Sequence, residues 1–360
     1  MSKRSLLLKT AGGLGTAALA AVATGVVVER RVVRRRRSAA PGARRFTSLR
    51  SEPVMVKADD GVMLHAEVDE VAPYGGGTGR AGRTGRAGTA EPTLVFVHGY
   101  SLNLDCWYFQ RDAFRGKYRM VFYDQRSHGR SERSSVENAT IDQLGDDLRA
   151  VIEQVAPEGP LVLVGHSMGG MSIMAFAEAH RQLFDERVRG VALVSTTAGD
   201  LHPHRILGKL LPDAVGEYAA PRLVSALARA PELVDASRRP GSNLGFLVAD
   251  TFAFGKAVPA ELVEFLDEML AGTPFEVLAQ FFPGLSAHDK YAALAHIAQK
   301  PAVVICGTAD RLTPISHSRR LAELMPGVEL VECRGAGHMV ILEDPERVNA
   351  EIERLVESAR

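Results

Sequence analysis

Residues 160–170 read PLVLVGHSMGG, and they continue directly into MSIMAFAEAHRQLF. An unbroken apolar, β-branched run of this length suits a strand buried on both faces. The segment after it suits a helix. Between them lies Gly165-His166-Ser167-Met168-Gly169-Gly170. A strand that turns this tightly into a helix brings backbone against backbone, and glycines at 165 and 169 remove the side chains that would collide there. Ser167 then sits at the tip, with free N–H groups and the positive dipole end of the helix behind it. A bare G-x-S-x-G also arises by chance, so its weight comes from the strand before it and the helix after it.

Outward from this stretch the same grammar repeats. TLVFVHGY (93–100), RMVFYDQRSHGRS (119–131), VRGVALVST (188–196), PAVVICGTADRLTP (301–314) and VELVECRGAGHM (328–339) each place an apolar run before a polar turn. In residues 141–157, Ile141, Leu144, Leu148, Val151, Ile152 and Val155 recur at helical spacing, and residues 346–360 predict a closing helix. VMVKADDGVMLHAEV (54–68) alternates around Asp60-Gly61, the signature of two antiparallel strands. Strand alternating with helix predicts an α/β fold: eight strands, mostly parallel, with helices on both faces.

From 200 to 290 the strand pattern stops. Helix-like segments such as ELVEFLDEML are broken by Pro212, Pro221, Pro231, Pro240, Pro259, Pro274 and Pro283, so this span reads as an inserted helical cap. It divides the core into residues 46–199 and 291–360. Residues 73–92, with recurring Gly-Arg-Ala/Thr-Gly, read as a flexible surface loop; they lack the GK[ST] of a phosphate-binding loop.

The chain's formal charge of zero conceals an asymmetry. Residues 1–45 carry a net charge of +10 and the remaining residues −10. An acidic body argues against a nucleic-acid partner, because phosphate neutralisation supplies most non-specific affinity. The uncharged stretch Ala11–Val28 would span about 27 Å as a helix, barely a hydrocarbon core, and six arginines follow it between 30 and 37. The positive-inside rule makes residues 1–45 a signal-anchor with the body at the cytoplasmic face of a membrane. Cleavage of a signal, with a secreted or periplasmic product, and a segment lying on the lipid surface are the alternatives. Cys106, Cys306 and Cys333, odd in number and without CxxC spacing, give neither a disulfide framework nor a zinc site and suit a reducing compartment. No clustered ligands imply a metal, and no dinucleotide fingerprint implies an organic cofactor.

A serine hydroxyl needs a base, and the base needs an orienting acid. Gly335-Ala336-Gly337-His338 and Gly307-Thr308-Ala309-Asp310 follow the last two predicted strands, and the carboxyl ends of parallel strands share one edge. With HGY, DQRSHGRS, GHSMGG, GTADRLTP and GAGHM in this order, residues 50–360 resemble the α/β-hydrolase superfamily with a helical cap. The resemblance implies Ser167 as nucleophile, His338 as general base and then acid, and Asp310 as orienting acid, with Asp200 the alternative acid. It implies an oxyanion hole from the backbone N–H groups of Tyr100 and Met168. Asp124 and His128 resemble residues that brace the neighbouring loop, and His166 is expected to pack under the turn. Cys106, Trp107, Phe246, Phe252 and Phe281 are candidates for the substrate pocket.

Relatives that hydrolyse epoxides or haloalkanes carry Asp where this chain has Ser167, which disfavours those reactions. The expected activity is hydrolysis of a small-molecule carboxylic ester, with a hydrophobic acyl group or a lipid as substrate. An aminopeptidase, a carbon–carbon bond hydrolase, a thioesterase and a cofactor-free haloperoxidase-like enzyme share the same residues. A ligand-binding receptor on the same fold is the alternative outside catalysis.

Overall fold

Strand by strand, the apolar runs assemble into one sheet. The computed structural model describes residues 46–71, 91–201 and 251–360. The basic segment 1–45, residues 72–90 of the Gly-rich loop, and residues 202–250 of the expected cap, Phe246 among them, lie outside the described residues. The strands are β1 (Pro53–Lys57), β2 (Met63–Asp69), β3 (Thr93–Val97), β4 (Met120–Tyr123), β5 (Leu161–His166), β6 (Val188–Val194), β7 (Ala302–Gly307) and β8 (Glu329–Cys333). Their spatial order is β1-β2-β4-β3-β5-β6-β7-β8. From β4 through β8 every pairing is parallel, while β1 pairs β2 and β2 pairs β4 antiparallel. Around Asp60, Gly61 takes φ +91° and its N–H donates to Ala58 O at 2.9 Å, closing the predicted hairpin.

The helices are α1 (Tyr108–Phe114), α2 (Ile141–Val155), α3 (Met168–Ala179), α4 (Arg181–Arg187), α5 (Ala260–Gly272), α6 (Phe275–Ser286), α7 (Leu294–Ile297), α8 (Ile315–Leu324), α9 (Val340–Glu343) and α10 (Pro345–Ser358). Side-chain alternation along the strands divides the core into two layers. Leu94, Phe96, Phe122, Val162, Val164, Val194 and Ile305 pack on one face with α1, α5, α9 and α10. Val95, Val97, Val121, Leu163, Leu193 and Val304 pack on the other with α2, α3, α7 and α8. Each such buried Val, Leu, Ile or Phe stabilises the fold by roughly 1.5–3 kcal/mol before conformational entropy is subtracted.

One local expectation needs correction. The helix read over residues 171–184 is two helices. At His180 the backbone leaves helical geometry (φ −118°, ψ 49°), its ring bonds Asp146 of α2 at 2.7 Å, and α4 then carries Phe184 back against Phe176. The strands stop where the polar turns begin. β3 ends at Val97 and β8 at Cys333, which frees His98-Gly99-Tyr100 and residues 334–339 to form loops at the carboxyl edge.

Candidate active site

Ser167 sits between the last residue of β5 and the first of α3, with φ +53° and ψ −120°. A side chain there is strained, and the surroundings over-determine it. Ser167 N donates to Val194 O at 2.9 Å, and its carbonyl accepts from the Thr196 hydroxyl at 2.7 Å. A Cβ on Gly169 would come within 2.0 Å of Val97 O, so only glycine lets α3 start this close to β3. Met168 is the first residue of α3, where a helix leaves N–H groups outside its own hydrogen-bond ladder.

The loop after β3 lies against this turn. A Cβ on Gly99 would be 3.0 Å from Ser167 Cβ and 2.9 Å from His166 Nδ1, so the backbone approaching Tyr100 rests directly on the serine. Tyr100 is half-buried and its hydroxyl donates to Leu278 O of α6 at 2.5 Å. The DQRSHGRS turn braces the same loop from below. Asp124 accepts from Leu104 N (2.7 Å) and Arg130 N (2.9 Å), and Gln125 N donates to His98 Nε2 (2.9 Å). Burial pushes the Asp124 carboxyl up to about 6 against those amide bonds. His128 is buried, its Nδ1 donating to Arg126 O at 2.9 Å and its ring edge-on to Phe281.

Asp310 and His338 meet after β7 and β8. His338 Nδ1 is 2.9 Å from Asp310 Oδ2. The other carboxylate oxygen accepts from Leu312 N (2.8 Å) and Thr313 N (2.9 Å), which fixes its plane. Burial alone would raise the Asp310 carboxyl, but the facing His338 and these amides hold it below the usual carboxylate range. Asp310 therefore stays an anion beside Nδ1, which favours the tautomer with its proton on Nδ1. Asp200, the alternative acid, is engaged elsewhere, accepting from the Tyr291 hydroxyl at 2.8 Å.

His166 joins the two halves. Its Nε2 donates to His338 O at 3.0 Å, and the two rings lie 4.9 Å apart. Burial pulls its pKa down to about 3, so it is a neutral donor at Nε2. The residue preceding Ser167 thus holds the backbone of His338.

The remaining pocket candidates divide. Cys106 and Trp107 are fully buried, with Trp107 against Phe96 (5.2 Å) and edge-on to His166 (6.4 Å). Phe281 is fully buried in a cluster with Met168 and Met171, and Tyr100 packs against that cluster. Phe252 is half-buried. Among the described residues, no group of three or more His, Cys, Asp and Glu is placed to hold a metal, and no helix is long and apolar enough to cross a membrane. Gln125, Thr313 and Glu343 bond to the site loops and were not singled out from the sequence. Gln125 lies within DQRSHGRS and Thr313 within GTADRLTP, whereas Glu343 carries no local signal.

Residues 92–345 match the family described as alpha/beta hydrolase fold. The chain belongs to that family. The expectations of an α/β-hydrolase fold and of a hydrolase stand with that membership. Over 267 residues it is 28% identical to 3-oxoadipate enol-lactonase 2 of Acinetobacter baylyi, covering 74% of this chain and 89% of that protein. Over 280 residues it is 24% identical to epoxide hydrolase 1 of Caenorhabditis elegans, again 74% of this chain but 65% of the relative, so it spans just under two thirds of that protein's length. Among solved structures, an esterase from Thermogutta terrifontis superposes with a TM-score of 0.64 at 22% identity, over 86% of this chain and 99% of the esterase.

Proposed function

We propose that this chain is a serine hydrolase that cleaves carboxylic esters with hydrophobic acyl groups through an acyl-enzyme on Ser167. The observation that carries the reading is the His338 Nδ1 to Asp310 Oδ2 bond of 2.9 Å, on a histidine whose carbonyl is held by the residue next to Ser167. In this reading Ser167 Oγ attacks the ester carbonyl carbon while His338 Nε2 accepts its proton. The same proton passes to the leaving alkoxide as the tetrahedral species collapses. Water, deprotonated by His338, then attacks the acyl-enzyme and releases the acid and Ser167. The N–H groups of Met168 and Tyr100 would stabilise the oxyanion, a charge present only at the tetrahedral stage. Similarity to an epoxide hydrolase does not redirect this chemistry, since those enzymes need a carboxylate nucleophile and the turn here presents a hydroxyl. Similarity to an enol-lactonase agrees with acyl transfer, a lactone being an internal ester.

A lipid ester is the proposed natural form of the substrate, with residues 1–45 holding the enzyme at the cytoplasmic face of a membrane. The test is hydrolysis of p-nitrophenyl esters of graded acyl length by the full chain beside Ser167→Ala. Turnover that the mutant lacks, rising with chain length, is expected. Folded protein with no turnover above the mutant overturns the ester reading. Equal rates for short and long acyl groups, with the protein found only in the soluble fraction of its host, overturn the lipid form.

A further inference from the structure

Glu343 closes α9, five residues after His338, and its carboxylate turns back toward the histidine loop. Oε1 accepts from Gly337 N at 2.5 Å. The carboxylate also accepts from two consecutive amides of a distant segment, Gly255 N at 3.1 Å and Lys256 N at 3.2 Å, both at Oε2. One half-buried anion thus gathers three backbone N–H groups from two parts of the chain. Charge-assisted bonds of this kind are shorter and stronger than neutral ones.

The two segments fit flush where the carboxylate joins them. Met339 N donates to Ala253 O at 2.9 Å. A Cβ on Gly255 would fall 2.4 Å from Gly335 O, and one on Gly337 would fall 2.4 Å from Gly255 N. Neither position has room for a side chain. Residues 253–256 belong to the insertion between β6 and β7, and residues 335–339 carry the proposed general base. On its other side the histidine loop is held by His166 at the His338 carbonyl and by Ala309 N donating to Ala336 O at 2.9 Å.

The geometry points to Glu343 as a positioning residue that fastens the His338 loop to the insertion, so that one carboxylate sets both the bearing of the imidazole and the seating of residues 253–256. The assignment rests on the proposed role of His338 as general base. Loss of the carboxylate leaves the Gly337 amide without its acceptor and lets the loop shift, and misplacement by about 1 Å is enough to cost on the order of 100-fold in rate.

The test compares full-length wild type with Glu343→Gln, which keeps the shape but points an amide at backbone donors, and with Gly255→Ala, which pries the same junction open from the insertion side. In both, kcat for a p-nitrophenyl ester is expected to fall about 10- to 100-fold while KM stays within about threefold. The low-field proton NMR signal of His338 Nδ1–H, assigned by its loss in Asp310→Asn, is expected to shift or broaden. Wild-type kcat and an unmoved signal in folded Glu343→Gln overturn the assignment, as does a rise in KM alone. If Glu343→Gln does not fold, the same readouts on Gly255→Ala decide. If wild type shows no ester turnover above Ser167→Ala, the ester reading fails by itself, and the proton signal still decides the place of Glu343.

Discussion

Two regions of this molecule bury polar groups by opposite rules. On the antiparallel flank, Arg111 is clamped between Glu67 (2.7 Å) and Asp69 (2.6 Å), Arg50 pairs with Asp105, and the Ser51 hydroxyl reaches Asp69. Burial would raise the Glu67 carboxyl, yet bonds from His65, Ser51 and Arg111 bring it down to about 2. At the carboxyl edge the Asp310 anion faces one imidazole, and the other buried histidines around it are neutral. Burial pulls His98 and His166 down to about 3 and His128 to about 4. Among the described residues, His166 Nδ1, His128 Nε2 and Ser101 Oγ there have no hydrogen-bond partner. Paired charges fix one conformation of the flank. Uncharged groups with unspent capacity surround Ser167, where a transient charge would have to be received. The difference separates a flank of paired charges from the neutral imidazoles beside the proposed nucleophile.

The comparison breaks most visibly at the serine. Ser167→Ala is expected to lower ester turnover by at least about 1,000-fold while thermal melting stays close to wild type, since alanine keeps the Cβ and the backbone bonds of the turn. Asp310→Asn should follow with a loss on the order of 100- to 10,000-fold in kcat, because an amide no longer holds the Nδ1 tautomer. The flank gives the converse result. Arg111→Met strands two buried carboxylates and is expected to cost about 3–5 kcal/mol in urea unfolding with kcat within about twofold. Retained stability with lost turnover would reverse the assignment of the two regions.

Acid sharpens the contrast. Histidines that are about 6.5 unfolded but near 3 to 4 when buried bind protons in the unfolded chain first, so stability present above pH 6.5 is lost progressively as pH falls toward those folded values. Asp310, depressed in the fold, adds a loss at still lower pH. Melting temperature followed downward from pH 7 is expected to decline below about 6.5, and a flat profile to pH 4 would show that the histidines do not stay neutral. The smallest effect belongs to Asp200→Asn, which keeps an acceptor for Tyr291 and should change kcat less than about twofold.

Much of this was legible in residues 93–97, 120–123, 161–166, 188–194 and 302–307, whose β-branched runs declared buried parallel strands before any partner was known. The positions of Ser167, Asp310 and His338 were legible for a related reason: each follows a strand, and parallel strands end on one edge. Contacts between elements remote in sequence leave no such trace. Nothing local marks Glu343 as the acceptor of Gly255 N, or His166 as the donor to His338 O. The break at His180 was hidden because its cause is Asp146 on another helix. The place of Cys106 and Trp107 after the β3 loop was legible, but the packing of Trp107 against Phe96 was not, since the two lie on different elements.

The pairing of β6 with β7, Val191 against Ala302 through Val194 against Ile305, bridges residues 195–301 without a slip in register. Doubling the length of such a connection adds only about 0.6 kcal/mol of closure cost. The insertion can therefore be lengthened, shortened or exchanged by evolution or by an engineer at small thermodynamic expense, provided the anchoring amides at 255 and 256 keep their acceptor. The length of this connection and the register of the sheet are, in this architecture, separately heritable.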